Sequence, residues 1–299
     1  MIDLDMITNP KKFLASKGAI KRGYQLSDKE EFELVRKTIV KYNLSPKNFD
    51  ANLSTLIIDE KYDDKGSLAR NEYISGSYHA TSNSINYPKI LEDRIHELFH
   101  MASNDTSINN SATGIEQEGK TGKFGTSLNE GITDFFTRLT RPNYKCKYPV
   151  EEAFASFLSD MYGIKIYDNY FECNPQGFYE GFGPNQFLIR DFVTLLDEYH
   201  KKSLFFYENF RVDSKQSMRL SSELTDLFIK CCVKFADIVA MNQGDMKKYL
   251  GDLRTKLSDH DNSISEFINL AFIYSGFGDL NNVFKSVSEE ISKKEGFGL

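Results

Sequence analysis

The chain has 299 residues, a formal net charge of −6 and 40% hydrophobic residues, which suffices for one or two domains with an ample core. Its basic residues are not massed in one region, which argues against nucleic acid as the main partner. Four cysteines without paired spacing make no disulfide framework, and no run is apolar for long enough to span a membrane.

The N-terminus, Met1 to Met6, carries acidic residues and no continuous apolar stretch, so it does not read as a secretory signal, and a cytoplasmic protein is expected. Ser27-x-x-Glu30 opens a predicted helix with Phe32, Val35, Ile39 and Val40 at helical spacing. Leu56-Ile57-Ile58 predicts a short buried strand, and Asp63 to Gly66 a turn. Tyr73 to His79, then residues 80–83, then Ser84 to Tyr87 predict a strand, a turn and a second strand.

Next comes His96-Glu97-Leu98-Phe99-His100. Pro88 precedes it, and Leu91, Ile95, Leu98, Phe99 and Ala102 supply an apolar helical face. On a helix, residues four apart stand one above the other, so His96 and His100 can direct two imidazoles at one metal ion with Glu97 beside them. In a chain with five histidines an H-E-x-x-H pattern rarely arises by chance, although a solvated helix side carrying two His and one Glu remains the plain alternative. Two histidines do not make a catalytic zinc site; a third protein ligand is needed, with the fourth position left open. No third histidine follows at close spacing, and the cysteines are isolated or, at Cys231-Cys232, diverge on a helix.

Residues 104–127 are rich in Asn, Ser, Thr and Gly (Gly114, Gly119, Gly122, Gly125), which predicts a long polar loop that rims the site, a small hairpin near it, or equally a mobile connector. Leu128, Ile132, Phe135, Phe136 and Leu139 then mark a second amphipathic helix, stopped near Pro142. Glu130 stands in its first turn and is the best candidate for the third ligand. Asp134, one turn later on the same face, can accept an imidazole N–H and fix its tautomer. An alternative stays open for Glu130: Ser127-x-x-Glu130 also fits a capping box, in which the carboxylate only satisfies a backbone N–H.

H-E-x-x-H followed some tens of residues later by N-E-x-x-x-D resembles the gluzincin type of zinc metallopeptidase, including thermolysin-like enzymes. More closely, H-E-L-F-H-M-A-S and L-N-E-G-I-T-D-F-F-T resemble small bacterial zinc-peptidase-like proteins that carry H-E-x-x-H-M-A-S and L-N-E-G-x-T-E; Asp134 stands where that group has Glu. The resemblance covers roughly residues 70–180 and is specific over 96–103 and 125–137. It implies one zinc ion held by His96, His100 and Glu130, with Asp134 behind a ligand and Glu97 as general base. It also implies a peptide or protein substrate and a zincin-like fold. In that class a strand just before the motif helix edges the cleft and holds an extended peptide; residues 72–79 or 84–87 are placed there. Related enzymes stabilise the oxyanion with a Tyr or His, for which Tyr144, Tyr148, His79 and His200 qualify by residue type.

From Val150 onward helices are predicted near 150–162, 184–201, 221–241, 245–258, 263–275 and 279–293, with breaks at Gly163, Gly244 and Gly276. Tyr167 to Phe171 and Phe205 to Tyr207 read as core or cleft wall, and His260 as surface in a polar turn. The expected architecture is α+β, mostly α. A small mixed sheet and the motif helix occupy residues 1–103, and a helical subdomain over 104–299 carries the third ligand, with the cleft between them. The alternative function is a zinc-stabilised binding or regulatory protein without hydrolysis. Oligomeric state does not follow from the sequence.

Overall fold

The computed structural model describes residues 28–62, 77–88, 94–107, 113–119, 122–210, 215–259 and 263–296. In chain order its elements are α1 (Asp28–Lys41), α2 (Lys47–Leu53), β1 (Ile57–Tyr62), β2 (Ser77–His79), β3 (Ser84–Pro88), α3 (Ile95–Ala102), β4 (Gln117–Gly119), β5 (Gly122–Phe124), α4 (Thr126–Thr140) and α5 (Pro149–Tyr162). The short helices α6 (Asp168–Phe171) and α7 (Pro175–Glu180) follow, then α8 (Gln186–Asn209), α9 (Lys215–Met241), α10 (Met246–Leu257), α11 (Ser263–Phe272) and α12 (Leu280–Gly296). The protein is therefore mostly helical with a small sheet. The predicted turn at 63–66, Leu91, His260 and the N-terminal residues lie outside the described residues.

The sheet has the order β1-β3-β2, with β1 parallel and β2 antiparallel to β3. The hairpin turn between β2 and β3 places Asn83 at φ 46°. Such a left-handed residue suits Asn, whose side chain here donates to the Asn52 carbonyl (2.7 Å) and to Thr55 Oγ1 (2.8 Å). Because β3 is the middle strand, both its edges are paired. Residues 84–87 therefore cannot edge a cleft, which corrects that half of the expectation; among the described residues β1 and β2 are the edge strands.

All eight residues of α3 are buried, so this helix is an inner element rather than a surface one. Ile95, Leu98, Phe99, Met101 and Ala102 join a core cluster that extends from Val35 to Ile291. Its C-terminal carbonyls need partners once buried. Asn52 of α2 supplies one, donating to the Met101 carbonyl (2.8 Å), and also donates to the Asn104 carbonyl just beyond the helix (2.7 Å). At the other end, Arg94 precedes α3 and its Nε meets Glu31 Oε2 of α1 at 2.7 Å, a buried ion pair. The motif helix is thus held at both ends by elements from earlier in the chain.

Helix α4 packs against α5 at Gly131. A Cβ there would stand 2.4 Å from the Glu151 carbonyl oxygen, so only glycine permits this approach. Beneath α3 and α4 lies an aromatic layer: Phe136 contacts Phe99 (ring centroids 5.7 Å), Phe171 (5.0 Å) and Tyr167 (5.7 Å). Tyr167, Tyr170 and Phe171 are therefore core, whereas Phe205 is 45% exposed and Phe206 buried. The predicted C-terminal helices are present with shifted ends. Helix α8 runs on to Asn209 and α9 begins at Lys215. The first extension follows burial of Phe206 and the second burial of Ser217 and Leu220, too few residues for periodicity over polar flanks to reveal.

A buried charge cluster ties α4, α5 and α10 together. Glu152 is fully buried, accepts from Arg138 Nε at 2.7 Å, and pairs with the Lys256 ammonium. All four cysteines are free thiols. Among the described residues no helix is long and apolar enough to cross a membrane.

Candidate metal centre

Helices α3 and α4 bring His96, His100 and Glu130 to one point. His96 Nε2 lies 3.1 Å from His100 Nε2, Glu130 Oε2 lies 3.2 Å from His96 Nε2, and it lies 3.3 Å from His100 Nε2. A tetrahedral zinc ion with bonds of about 2.0–2.1 Å sets its ligand atoms about 3.3–3.4 Å apart. The triangle therefore suits such an ion in both size and donor type. The two histidines are buried, and the Glu130 side chain is 19% exposed.

The capping-box alternative for Glu130 does not hold. The residue before α4 is Gly125, with φ 86°, and it makes no side-chain cap. The helix begins one residue earlier than Ser127, and its first amides are taken by Asp197 of α8. That carboxylate accepts from Gly125 N (2.7 Å), Ser127 N (2.9 Å) and Ser127 Oγ (2.6 Å). A buried anion at a helix N-terminus is favourable on its own account, and it releases Glu130 to face the histidines. Asn129 braces the preceding segment: its Oδ1 accepts from Ile115 N at 3.1 Å and its Nδ2 donates to Thr113 Oγ1 at 3.3 Å. The Gly-rich stretch forms the antiparallel pair β4–β5 there.

Asp134 is fully buried against His96. Its Oδ1 accepts from His96 Nδ1 (2.8 Å) and the Tyr144 hydroxyl (2.9 Å), and its Oδ2 accepts from Tyr148 N (2.7 Å). A proton held on Nδ1 leaves Nε2 as the nitrogen that can release its proton and offer a lone pair to a metal. Burial and the Lys147 charge oppose a charged His96, but its hydrogen bonds to Asp134 and Glu130 and the Asp134 charge outweigh them, raising its pKa to about 9. Burial would likewise raise Glu130, yet the His100 and His96 contacts hold it well below the usual carboxylate range. Beneath His100, Nδ1 lies 3.5 Å from Thr133 Oγ1, which donates to the Asn129 carbonyl and also meets the Tyr170 hydroxyl (both 2.8 Å).

Glu97 is buried beside the histidines, its ligand atom within 4.8 Å of theirs, but farther out than Glu130. Its Oε1 accepts from Lys147 Nζ at 3.2 Å. Burial opposes the charged carboxylate, but the charges of Lys147, His96 and His100 prevail and lower its pKa.

Of the four residues expected by type alone to meet an oxyanion, His79 is exposed on edge strand β2 with Nε2 3.2 Å from Ser77 Oγ, and the Tyr144 hydroxyl is spent on Asp134. Tyr148 and His200 stand together. The Tyr148 ring is 6.2 Å from the His96 ring and 5.2 Å from that of His200. His200 Nδ1 meets Glu151 Oε1 at 2.9 Å. Burial disfavours the His200 cation, but the hydrogen bond to Glu151 and its charge raise the pKa. Burial, with Glu130, Asp134, Glu97 and Glu151 nearby, pushes the Tyr148 phenol up, so it stays protonated. Among the described residues its hydroxyl makes no hydrogen bond. Lys147, Glu151 and Asp197 are not legible as site residues in the sequence. The nearest signal for Lys147 is its position two residues before Pro149, which opens α5 and so fixes where the preceding segment crosses the site.

Comparisons with protein-family models, with curated proteins and with solved structures found no match.

Proposed function

We propose that the protein is a zinc-dependent hydrolase of peptide bonds, organised like the gluzincin metallopeptidases its motifs resemble. The observation that carries this reading is the triangle of His96, His100 and Glu130, with a further carboxylate, Glu97, close by but outside it. The motif helix beside a small mixed sheet, followed by a second helix bearing the third ligand, accords with a zincin-like plan. In it residues 1–103 and 104–299 contribute to the two sides of the cleft. A cytoplasmic setting accords with four free thiols.

His96, His100 and Glu130 would hold the metal. Zinc, when bound, polarises the scissile carbonyl and lowers the pKa of water from about 15.7 toward about 7. Two neutral imidazoles and one carboxylate leave a divalent ion with net positive charge, which favours an oxyanion. Glu97 takes the proton of the attacking water and delivers it to the leaving amine. Asp134 fixes the His96 tautomer. The Tyr148 hydroxyl, protonated and without an acceptor among the described residues, is the donor for the oxyanion, and His200, held by Glu151, stands beside it.

A peptide-library cleavage assay with zinc analysis compares wild type with Glu97→Gln. Wild type is expected to cleave, and Glu97→Gln to retain stoichiometric zinc without cleaving. Full activity in Glu97→Gln overturns the mechanism. The second reading, a zinc-stabilised binding or regulatory protein, is favoured by one observation: Lys147 already engages the would-be base. Stoichiometric zinc with no cleavage by either protein would select it.

A further inference from the structure

We propose that Lys147 is a positioning residue that decides which of two carboxylates joins the ligand set, keeping Glu97 out so that Glu130 takes the third place. The inference rests on the metal reading above. Both carboxylates lie near the imidazoles: Glu130 Oε2 at 3.2 and 3.3 Å, and the Glu97 ligand atom within 4.8 Å. A small side-chain movement would bring Glu97 into the set. Four protein ligands would then close the position that a catalytic site keeps open. Glu97 also follows His96 directly on α3, so the helix itself does not hold it away.

The restraint comes from a different segment. Lys147 Nζ is 3.2 Å from Glu97 Oε1, with the two side chains 17% and 5% exposed. Among the described residues Lys147 makes no other ion pair or hydrogen bond, so its charge is committed to Glu97. Opposite charges this well shielded from water attract more strongly than a surface pair. The ammonium also repels a divalent cation displaced toward Glu97.

Asp134 sets the position of Lys147. The segment 141–148 between α4 and α5 is pinned to that carboxylate twice, by the Tyr144 hydroxyl (2.9 Å) and by Tyr148 N (2.7 Å). Lys147 immediately precedes the second anchor. One buried carboxylate therefore orients the ligand His96 and also places the lysine that restrains the base.

The test uses the full chain with Co²⁺ in place of zinc. Lys147→Met is expected to bind cobalt roughly tenfold more tightly, with a visible spectrum changed by the added carboxylate, and to lose about 10–100-fold in peptide cleavage. Lys147→Arg, which keeps the charge, should restore wild-type affinity and spectrum. In a Glu97→Gln background, Lys147→Met should leave the cobalt spectrum unchanged, because no competing carboxylate remains, and should alter affinity only by the loss of the ammonium's repulsion. A wild-type spectrum in Lys147→Met, or the same spectral change with and without Glu97, overturns the inference while leaving the metal reading intact. Wild type that binds no cobalt overturns the metal reading, and the inference with it.

Discussion

Replacing Asp134 by Asn changes one atom and tests how the site is organised. Three donors converge on this carboxylate: His96 Nδ1 and the Tyr144 hydroxyl on Oδ1, and Tyr148 N on Oδ2. An amide offers only one oxygen. With that oxygen facing His96, its NH₂ group meets the Tyr148 N–H donor to donor. Flipped, the NH₂ faces His96 Nδ1 and drives the imidazole proton onto Nε2, the atom 3.1 Å from His100 Nε2 at the ligand triangle. The first arrangement leaves a buried donor unsatisfied, costing about 1–3 kcal/mol of stability without metal. The second obstructs metal binding, and loss of such a supporting partner lowers metal affinity about 10–100-fold. That loss corresponds to about 1.4–2.8 kcal/mol. It should appear as an equal reduction in the extra stability that excess zinc confers, since binding to the folded state alone stabilises in proportion to the logarithm of affinity. Urea unfolding of wild type and Asp134→Asn, each with chelator and with excess zinc, measures both components. Equal zinc-dependent stabilisation in the two proteins would refute the role assigned to Asp134.

Three further outcomes are expected. Gly131→Ala places a Cβ 2.4 Å from the Glu151 carbonyl oxygen; it should cost about 1–3 kcal/mol in urea unfolding through overpacking, and an unchanged midpoint would contradict the close α4–α5 contact. Asp197→Ala removes the acceptor for Gly125 N, Ser127 N and Ser127 Oγ; a loss of about 1–2 kcal/mol is expected, with faster amide exchange in the first turn of α4, and unaltered exchange there would refute the cap. His200 has a folded pKa raised above its unfolded value of about 6.5, so the stability it contributes is fully present below that value and is lost as pH rises through the folded pKa. In chelator, the stability gap between wild type and His200→Gln should therefore narrow as pH rises above about 6.5; a gap that widens instead rules out the pairing with Glu151.

The local chemistry was legible because it is written at short range. The spacing of His96 and His100, the apolar face of Leu98 and Phe99, and the helical run from Leu128 to Leu139 depend on the few residues of one or two turns, and the helix period alone relates them. The breaks at Gly163, Gly244 and Gly276 are local in the same sense. The short helices α2, α6 and α7 escaped, since four to seven residues carry too little periodicity to stand out from turns.

Other features depend on residues distant in the chain. Whether Glu130 caps its own helix or turns to the histidines was open at the level of Ser127-x-x-Glu130. It is settled by Asp197, 70 residues on, which occupies the helix N-terminus first. That β3 is an inner strand depends on β1 pairing in parallel with it, and no alternation within residues 84–87 reveals that. The partnership of Lys147 with Glu97 spans 50 residues and requires Asp134 to fix the segment between α4 and α5. The sequence by itself determined the residue types able to hold a metal and the helices that carry them, because helical spacing converts adjacency along the chain into adjacency in space. Only the tertiary structure decided which carboxylate approaches the imidazoles and which is held apart, because those positions follow from competition among buried charges and donors that meet only once the helices are packed.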